Sequence, residues 1–160
     1  MAYKENRVPN IIMEHVKISN RNFSGERYQR GGERSVRVNI EDPDIAQKLS
    51  DDGWPVHIRM PKEDGDKPYM YIPAAIKYKT LPPTIVVVSS KKYEVYDESR
   101  LAEIDGFNIR DVDVELRPRY WVDDDGNEKI KAYVKAMHVY IEDDDPFAYK
   151  LSRFDEDNDE

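Results

Sequence analysis

Residues 117–137 read RPRYWVDDDGNEKIKAYVKAM, two extended arms joined through a polar turn. Asp125-Gly126 supplies the turn chemistry, because glycine reaches positive φ at little cost and aspartate tolerates it. On the second arm Ile130, Ala132, Val134 and Ala136 alternate with Lys131, Tyr133 and Lys135, so the spacing predicts one core face and one outer face of cation, ring, cation. The facing arm adds Arg117, Arg119, Tyr120 and Trp121. Lysines and arginines that track phosphates, beside rings that stack on bases of any identity, suit a single-stranded nucleic acid.

Working outward, 160 residues fit one domain with a sizeable core. There is no cysteine, which excludes a disulfide framework and a thiolate metal site. The first ten residues lack the apolar core of a signal peptide and no run is long enough to span a membrane, so the expectation is a cytoplasmic protein with no membrane partner. A net charge of -8 opposes nucleic-acid binding until its distribution is read. Residues 142–160 hold nine acids against Lys150 and Arg153, a segment charge of -7 that leaves -1 for the other 141 residues. Residues 1–40 carry eight Lys and Arg against four Glu. The division expected is therefore a nucleic-acid-binding domain, 1–142, and an acidic, disordered C-terminal tail, 143–160.

Asn10 to Ile18 reads as a first strand, and Arg21 to Arg34 (RNFSGERYQRGGER) as a loop far longer than the usual 4–6 residues. In that loop Arg21, Arg27, Arg30 and Arg34 interleave with Phe23 and Tyr28, as a clamp on single strands would; a solvated loop with Phe23 in the core is the blander reading. Ser35 to Ile40 is the next strand, with Arg37 facing outward. Asp42-Pro43 opens a short helix that Gly53 stops. Trp54 to Met60 alternates with Trp54, Val56, Ile58 and Met60 on one face, Trp54 reading as core. Pro73 marks Tyr69 to Lys79 as an edge strand. Thr84 to Val88 is a strand buried on both faces, and Asp97 to Ile104 a second short helix ended by Gly106.

This order, mainly β with short helices and extra strands, resembles an OB-fold, a five-stranded Greek-key barrel with a helix between its third and fourth strands. Such barrels bind nucleic acid with strands two and three and the loops joining strands one to two and four to five, here Arg21 to Arg34 and Val122 to Glu128. Which segment between 54 and 88 is the third barrel strand stays open. The sequence also resembles the small single-stranded DNA-binding proteins of tailed bacteriophages. The likeness runs through RNFSGERYQRGGERSVRV (21–38), DDGW (51–54), PPTIVVVSS (82–90), VDVELRPRYW (112–121) and KAYVKAMHVYIE (131–142), most of residues 10–142. It implies an OB-type fold and sequence-tolerant binding of DNA exposed in phage replication or recombination, in the host cytoplasm. The tail departs from cellular relatives, whose acidic tip closes on apolar residues, since it ends in Asp159-Glu160.

The candidate binding residues are Arg21, Phe23, Arg27, Tyr28, Arg30, Arg34, Arg37, Arg119, Tyr120, Trp121, Lys131, Tyr133 and Lys135. Single-stranded DNA is the expected partner; the tail offers a contact for replication or recombination proteins and for competition with DNA, and homo-oligomers fit the same reading. An acidic protein-interaction module is the rival. Asp111, Asp113 and Glu115, alternating on one strand, offer a nuclease Mg²⁺ site, but an acidic solvent face explains them more simply. Asp123 to Gly126 lacks EF-hand spacing, and His15, His57 and His138 lack ligand spacing. No cofactor and no catalysis are expected.

Overall fold

A computed structural model describes residues 7–26, 33–60, 68–79, 81–90 and 92–142. In chain order these form β1 (Ile11–Val16), β2 (Ile18–Asn22), β3 (Arg34–Ile40), α1 (Pro43–Asp51), β4 (His57–Arg59), β5 (Tyr69–Ile76), β6 (Thr84–Val88), β7 (Tyr93–Tyr96), a 3₁₀ helix (Glu98–Gly106), β8 (Ile109–Val122) and β9 (Glu128–Ile141). The mainly β expectation is borne out. The hydrogen-bonded path runs β1-β8-β9-β5-β3-β2. Its two ends, β1 and β2, are separated in the chain only by Lys17, so they are halves of one bent strand and the sheet curls back on itself. The five staves are then β1/β2, β3, β5, β8 and β9, and β5 is the third. It runs parallel to β9, the one parallel contact that joins third and fifth staves.

The bend has a local cause. His15 (φ 54) and Asn20 (φ 47) both lie in the left-handed region, and the pairing register shifts around each, between Met13 and Val16 against β8 and between Ser19 and Asn22 against β3. Two such irregularities let one strand leave one neighbour and join another, because each adds local twist. The core fills the barrel: Phe23, Ile72, Ile85, Leu101, Leu116 and Met137 are among its fully buried side chains. Each contributes roughly 1.5–3 kcal/mol through burial.

The Asp125-Gly126 turn forms as expected, with Gly126 at φ 84. Asp123 completes it by accepting from the Asp125 and Asn127 amides at 3.0 and 2.9 Å. The long arms contain a bulge: Glu115 faces Ala136 and Leu116 faces Val134, leaving Lys135 opposite nothing. The alternation therefore flips. Ile130, Ala132 and Val134 are buried as expected, but the inward positions beyond are Met137 and Val139, and Ala136 is turned out of the core.

Two further expectations need correction. Pro73 does not mark an edge, since β5 pairs with β3 from Met70 to Ile76. On its other side β4 pairs to Tyr71 and β9 begins at Ala74, so Pro73 occupies the gap where no partner needs an N–H. Trp54 is buried, but Ile58 and Met60 are exposed, because only three residues of that segment form a strand and they flank β5 at the barrel's rim. Helix α1 starts where expected, with Asp42 Oδ1 accepting from the Asp44 amide at 2.9 Å and Pro43 in its first turn. Gly53 (φ 104) ends it; a Cβ there would meet Ile130 Cδ1 at 3.3 Å, which brings the helix end against the turn end of the hairpin. The tail at 143–160 lies outside the described residues.

Candidate nucleic-acid interface

Strand pairing determines what can meet on the outside of the barrel. Arg117 lies opposite Tyr133, Arg119 opposite Lys131 and Trp121 opposite Lys129, so near its turn the hairpin presents rings and cations on one surface. Tyr133 is paired with Ala75 of β5, Ala75 with Ser35 of β3, and Pro73 with Arg37. The outer surface thus continues from the hairpin across β5 to β3. His57 and Arg59 of β4 face Tyr71 and Tyr69 and close the far side. The result is a groove of about 870 Å³, with the hairpin as one wall and β4 as the other.

Its floor is a layered set of flat groups. Tyr71 is buried, with the His57 ring stacked at 5.3 Å, the Tyr69 ring at 5.6 Å and the Arg37 guanidinium 4.3 Å from its centroid. Arg37 also donates to the Tyr69 hydroxyl at 3.1 Å. Arg59, whose pKa the Tyr71 hydroxyl raises further, is a permanent cation at the rim, as any arginine is. On the hairpin wall Arg119 and Lys131 lie 5.7 and 5.6 Å from the Tyr133 centroid. Trp121 is 49% exposed, so one face of a large ring is open to a ligand. Five cations line the groove, Arg34, Arg37, Arg59, Arg119 and Lys131, against one carboxylate, Glu33. That balance attracts a polyanion although the whole chain is acidic.

Of the thirteen residues singled out in the sequence, the groove gathers Arg34, Arg37, Arg119, Trp121, Lys131 and Tyr133. Arg27, Tyr28 and Arg30 lie outside the described residues. Four are placed elsewhere. Phe23 is fully buried, so it cannot stack on a base; it anchors the loop, with its amide and that of Ser24 held by the Asp105 carboxylate at 2.9 and 3.0 Å. Arg21 donates to the Phe107 carbonyl at 2.7 Å and lies in a separate cleft. Tyr120 points the other way from Trp121, its hydroxyl accepting from the Val8 amide at 2.7 Å and Arg7 covering its ring at 4.0 Å. Lys135, the bulged residue, turns to Glu115 at 3.5 Å. Even Arg34 is partly engaged, with Glu98 at 2.8 Å and the Phe23 carbonyl at 3.1 Å.

The sequence reading missed His57, Arg59, Tyr69 and Tyr71. Their alternation was visible in HIR and YMY, but which strand they face is a non-local fact. The acidic candidates have protein partners instead of a metal geometry. Asp113 accepts from the Tyr140 hydroxyl at 2.6 Å and the His15 amide at 2.9 Å, Asp111 lies 3.3 Å from His15 Nδ1, and Glu115 accepts from Asn10 at 3.0 Å. Burial works against the Asp113 charge, but the hydrogen bonds from Tyr140 and His15 outweigh it and lower the pKa. The same bond pushes Tyr140 up to about 12. Among the described residues no group of three or more His, Asp and Glu is placed to hold a metal ion.

A family described as "Putative phage ssDNA-binding domain" matches residues 2–154. No curated protein matches the sequence. Among solved structures, the single-stranded DNA-binding protein from bacteriophage Enc34, truncated at its C-terminus, is similar with a TM-score of 0.50 at 15% identity, over 84% of this chain and 87% of that one. That likeness speaks to the fold. Another is gp2.5, a single-stranded DNA-binding protein encoded by bacteriophage T7, with a TM-score of 0.44 at 12% identity, over 83% of this chain and 87% of that one.

Proposed function

Since the chain belongs to the phage single-stranded DNA-binding domain family, we propose that it holds single-stranded DNA in the groove between the β8–β9 hairpin and β4. Single-stranded DNA binding is the family's work, and it is not enzymatic. The placement in the groove rests on one observation: segments far apart in sequence bring five cations and an exposed tryptophan onto one concave surface that has a single carboxylate. Arg119, Lys131, Arg37 and Arg59 neutralise phosphates; Trp121, Tyr133 and His57 stack bases. Stacking contributes roughly 1–3 kcal/mol per base whatever the base, so binding is tolerant of sequence. The acidic-module reading is disfavoured by that surface. The role we read from the family is the coating of DNA exposed in phage replication or recombination, in the host cytoplasm. No helix among the described residues is long and apolar enough to cross a membrane. The acidic run 143–160 competes with DNA for the groove and offers a contact for replication or recombination proteins.

Titrating tryptophan fluorescence with oligo-dT and with a matched duplex tests the groove. Trp54 is buried and Trp121 half exposed, so quenching is expected from Trp121 and is absent in Trp121→Phe. Equal affinity for the duplex would overturn the reading.

A further inference from the structure

We propose that a second cationic cleft, lined by Lys17, Arg21 and Arg110, holds the phosphates of a single strand that leaves the groove across β2. This rests on the groove reading. The cleft has a volume of about 420 Å³ and lies where the end of β1, the start of β2 and the segment leading into β8 converge. Its remaining lining includes Ser19, Asn108 and Glu142, so three cations face one carboxylate.

Continuity with the groove is a matter of register. Ser19, in the cleft, is the pairing partner of Arg37 on the groove floor. Asn20, the next residue, lines the groove itself. The two linings therefore meet on adjacent paired strands, β2 and β3. A strand crossing the groove from the hairpin over β5 and β3 reaches the cleft by continuing in the same direction.

The chemistry of the cleft differs from that of the groove. Arg21 is fixed by bonds to the carbonyls of Phe107 and Ile104, so its charge is held in place. Lys17 donates to the Arg110 carbonyl, and both side chains are exposed. Arg110 shares its charge with Asp111 at 3.6 Å. The cleft's one ring, Phe107, packs against the core and Tyr96. With cations and amides but no open ring, the cleft suits phosphate and not base. It lengthens the binding site without adding sequence preference.

The test uses the full chain, Lys17→Ser/Arg110→Ser, and oligo-dT from about 4 to 30 nucleotides, bracketing the roughly 4–16 nucleotides an OB-fold covers. Arg21 is left alone because it supports backbone carbonyls. Affinity for the shortest oligomers that bind is expected to be unchanged, which also reports that the variant is folded. For long ones it falls about tenfold at low salt, and the slope of log K against log salt falls by about 1.4, at about 0.7 per lost single-strand phosphate contact. Unchanged affinity and slope at every length would overturn the proposal. So would an equal loss at all lengths, which would mean that these residues act through the fold or through the chain's own acids. Trp121→Ala reports on the groove separately: if it leaves both lengths untouched, the groove reading fails and takes the cleft with it.

Discussion

The β8–β9 hairpin carries two different outer surfaces on one pair of strands. Near its turn, Arg117 to Trp121 face Lys129 to Tyr133; among the described residues no carboxylate lies within ion-pairing distance of Arg119 or Lys131, and Trp121 is open. Beyond the bulge at Lys135, Asp111, Asp113 and Glu115 face Tyr140, His138 and Ala136 in turn, and each acid has a protein partner. The two surfaces share one antiparallel strand pair, on either side of the bulge. What separates them is whether the fold consumes the charge. On this hairpin the acids held by protein donors serve the barrel, while the cations left open near the turn are what a ligand can use.

The comparison is most exposed to a double change at the open end. Arg119→Ser/Lys131→Ser is expected to weaken oligo-dT binding about 50-fold near 50 mM salt and to flatten the salt slope by about 1.4. Thermal stability should hold, because among the described residues neither side chain has an ion-pair partner to lose. A large fall in Tm with little loss of binding would show that this end, too, is structural. Trp121→Ala comes next, at about tenfold in affinity, the low half of the roughly 1–3 kcal/mol that a stacked base contributes. Its loss should persist at high salt, which distinguishes stacking from phosphate contact.

How much of this was legible follows from the range of each signal. The hairpin, its turn and the outward run Arg119, Lys131, Tyr133 were readable because Asp-Gly chemistry and two-residue alternation are local. The bulge was not, since nothing in KAYVKAM announces that Lys135 is the unpaired residue; its twin signal is Met137 and Val139 resuming the apolar period one place late. Phe23 was misplaced for a related reason. Its neighbours have no period, and the group that pins its amide, Asp105, is 82 residues away. The groove floor needed β5 to be a central strand. Pro73 argued against that until the gap between β4 and β9 was known.

At the satisfied end, Tyr140→Phe removes the hydroxyl that Asp113 accepts. The loss expected is about 1 kcal/mol, below the usual range for a bond to a charged group because the pair is partly exposed to solvent, or about 3 °C in Tm. Oligo-dT affinity should not change. The pair also sets a pH signature. Asp113 has a folded pKa below its ordinary value, so its contribution is present above about pH 4 and is lost as pH falls through the folded value. Tyr140 is raised to about 12, so its contribution is complete below about pH 10 and is lost as pH climbs from 10 to 12. Chemical denaturation across pH should show both flanks in the native chain; in Tyr140→Phe the alkaline flank disappears and the acid one shrinks without vanishing, because the His15 amide still donates to Asp113.

The smallest effect expected is at the boundary between the two surfaces. Lys135 has the right charge and the right sequence spacing for the open end, yet it lies 3.5 Å from Glu115, whose pKa is lowered first by Asn10 and then by Lys135 itself. Two causes could keep it out of binding: the ion pair or the bulge. An exposed pair of this kind contributes only ~0–1 kcal/mol, too little to hold a lysine away from a phosphate within its reach. The bulge, by contrast, displaces the side chain from the Lys131 and Tyr133 row altogether. Glu115→Gln separates them, since it removes the pairing charge and keeps the Asn10 contact. Affinity for oligo-dT is expected to stay within about twofold and the salt slope to hold; a slope steeper by about 0.7 would mean that pairing, not position, silences Lys135, and the line between the two surfaces would then be drawn by charge alone.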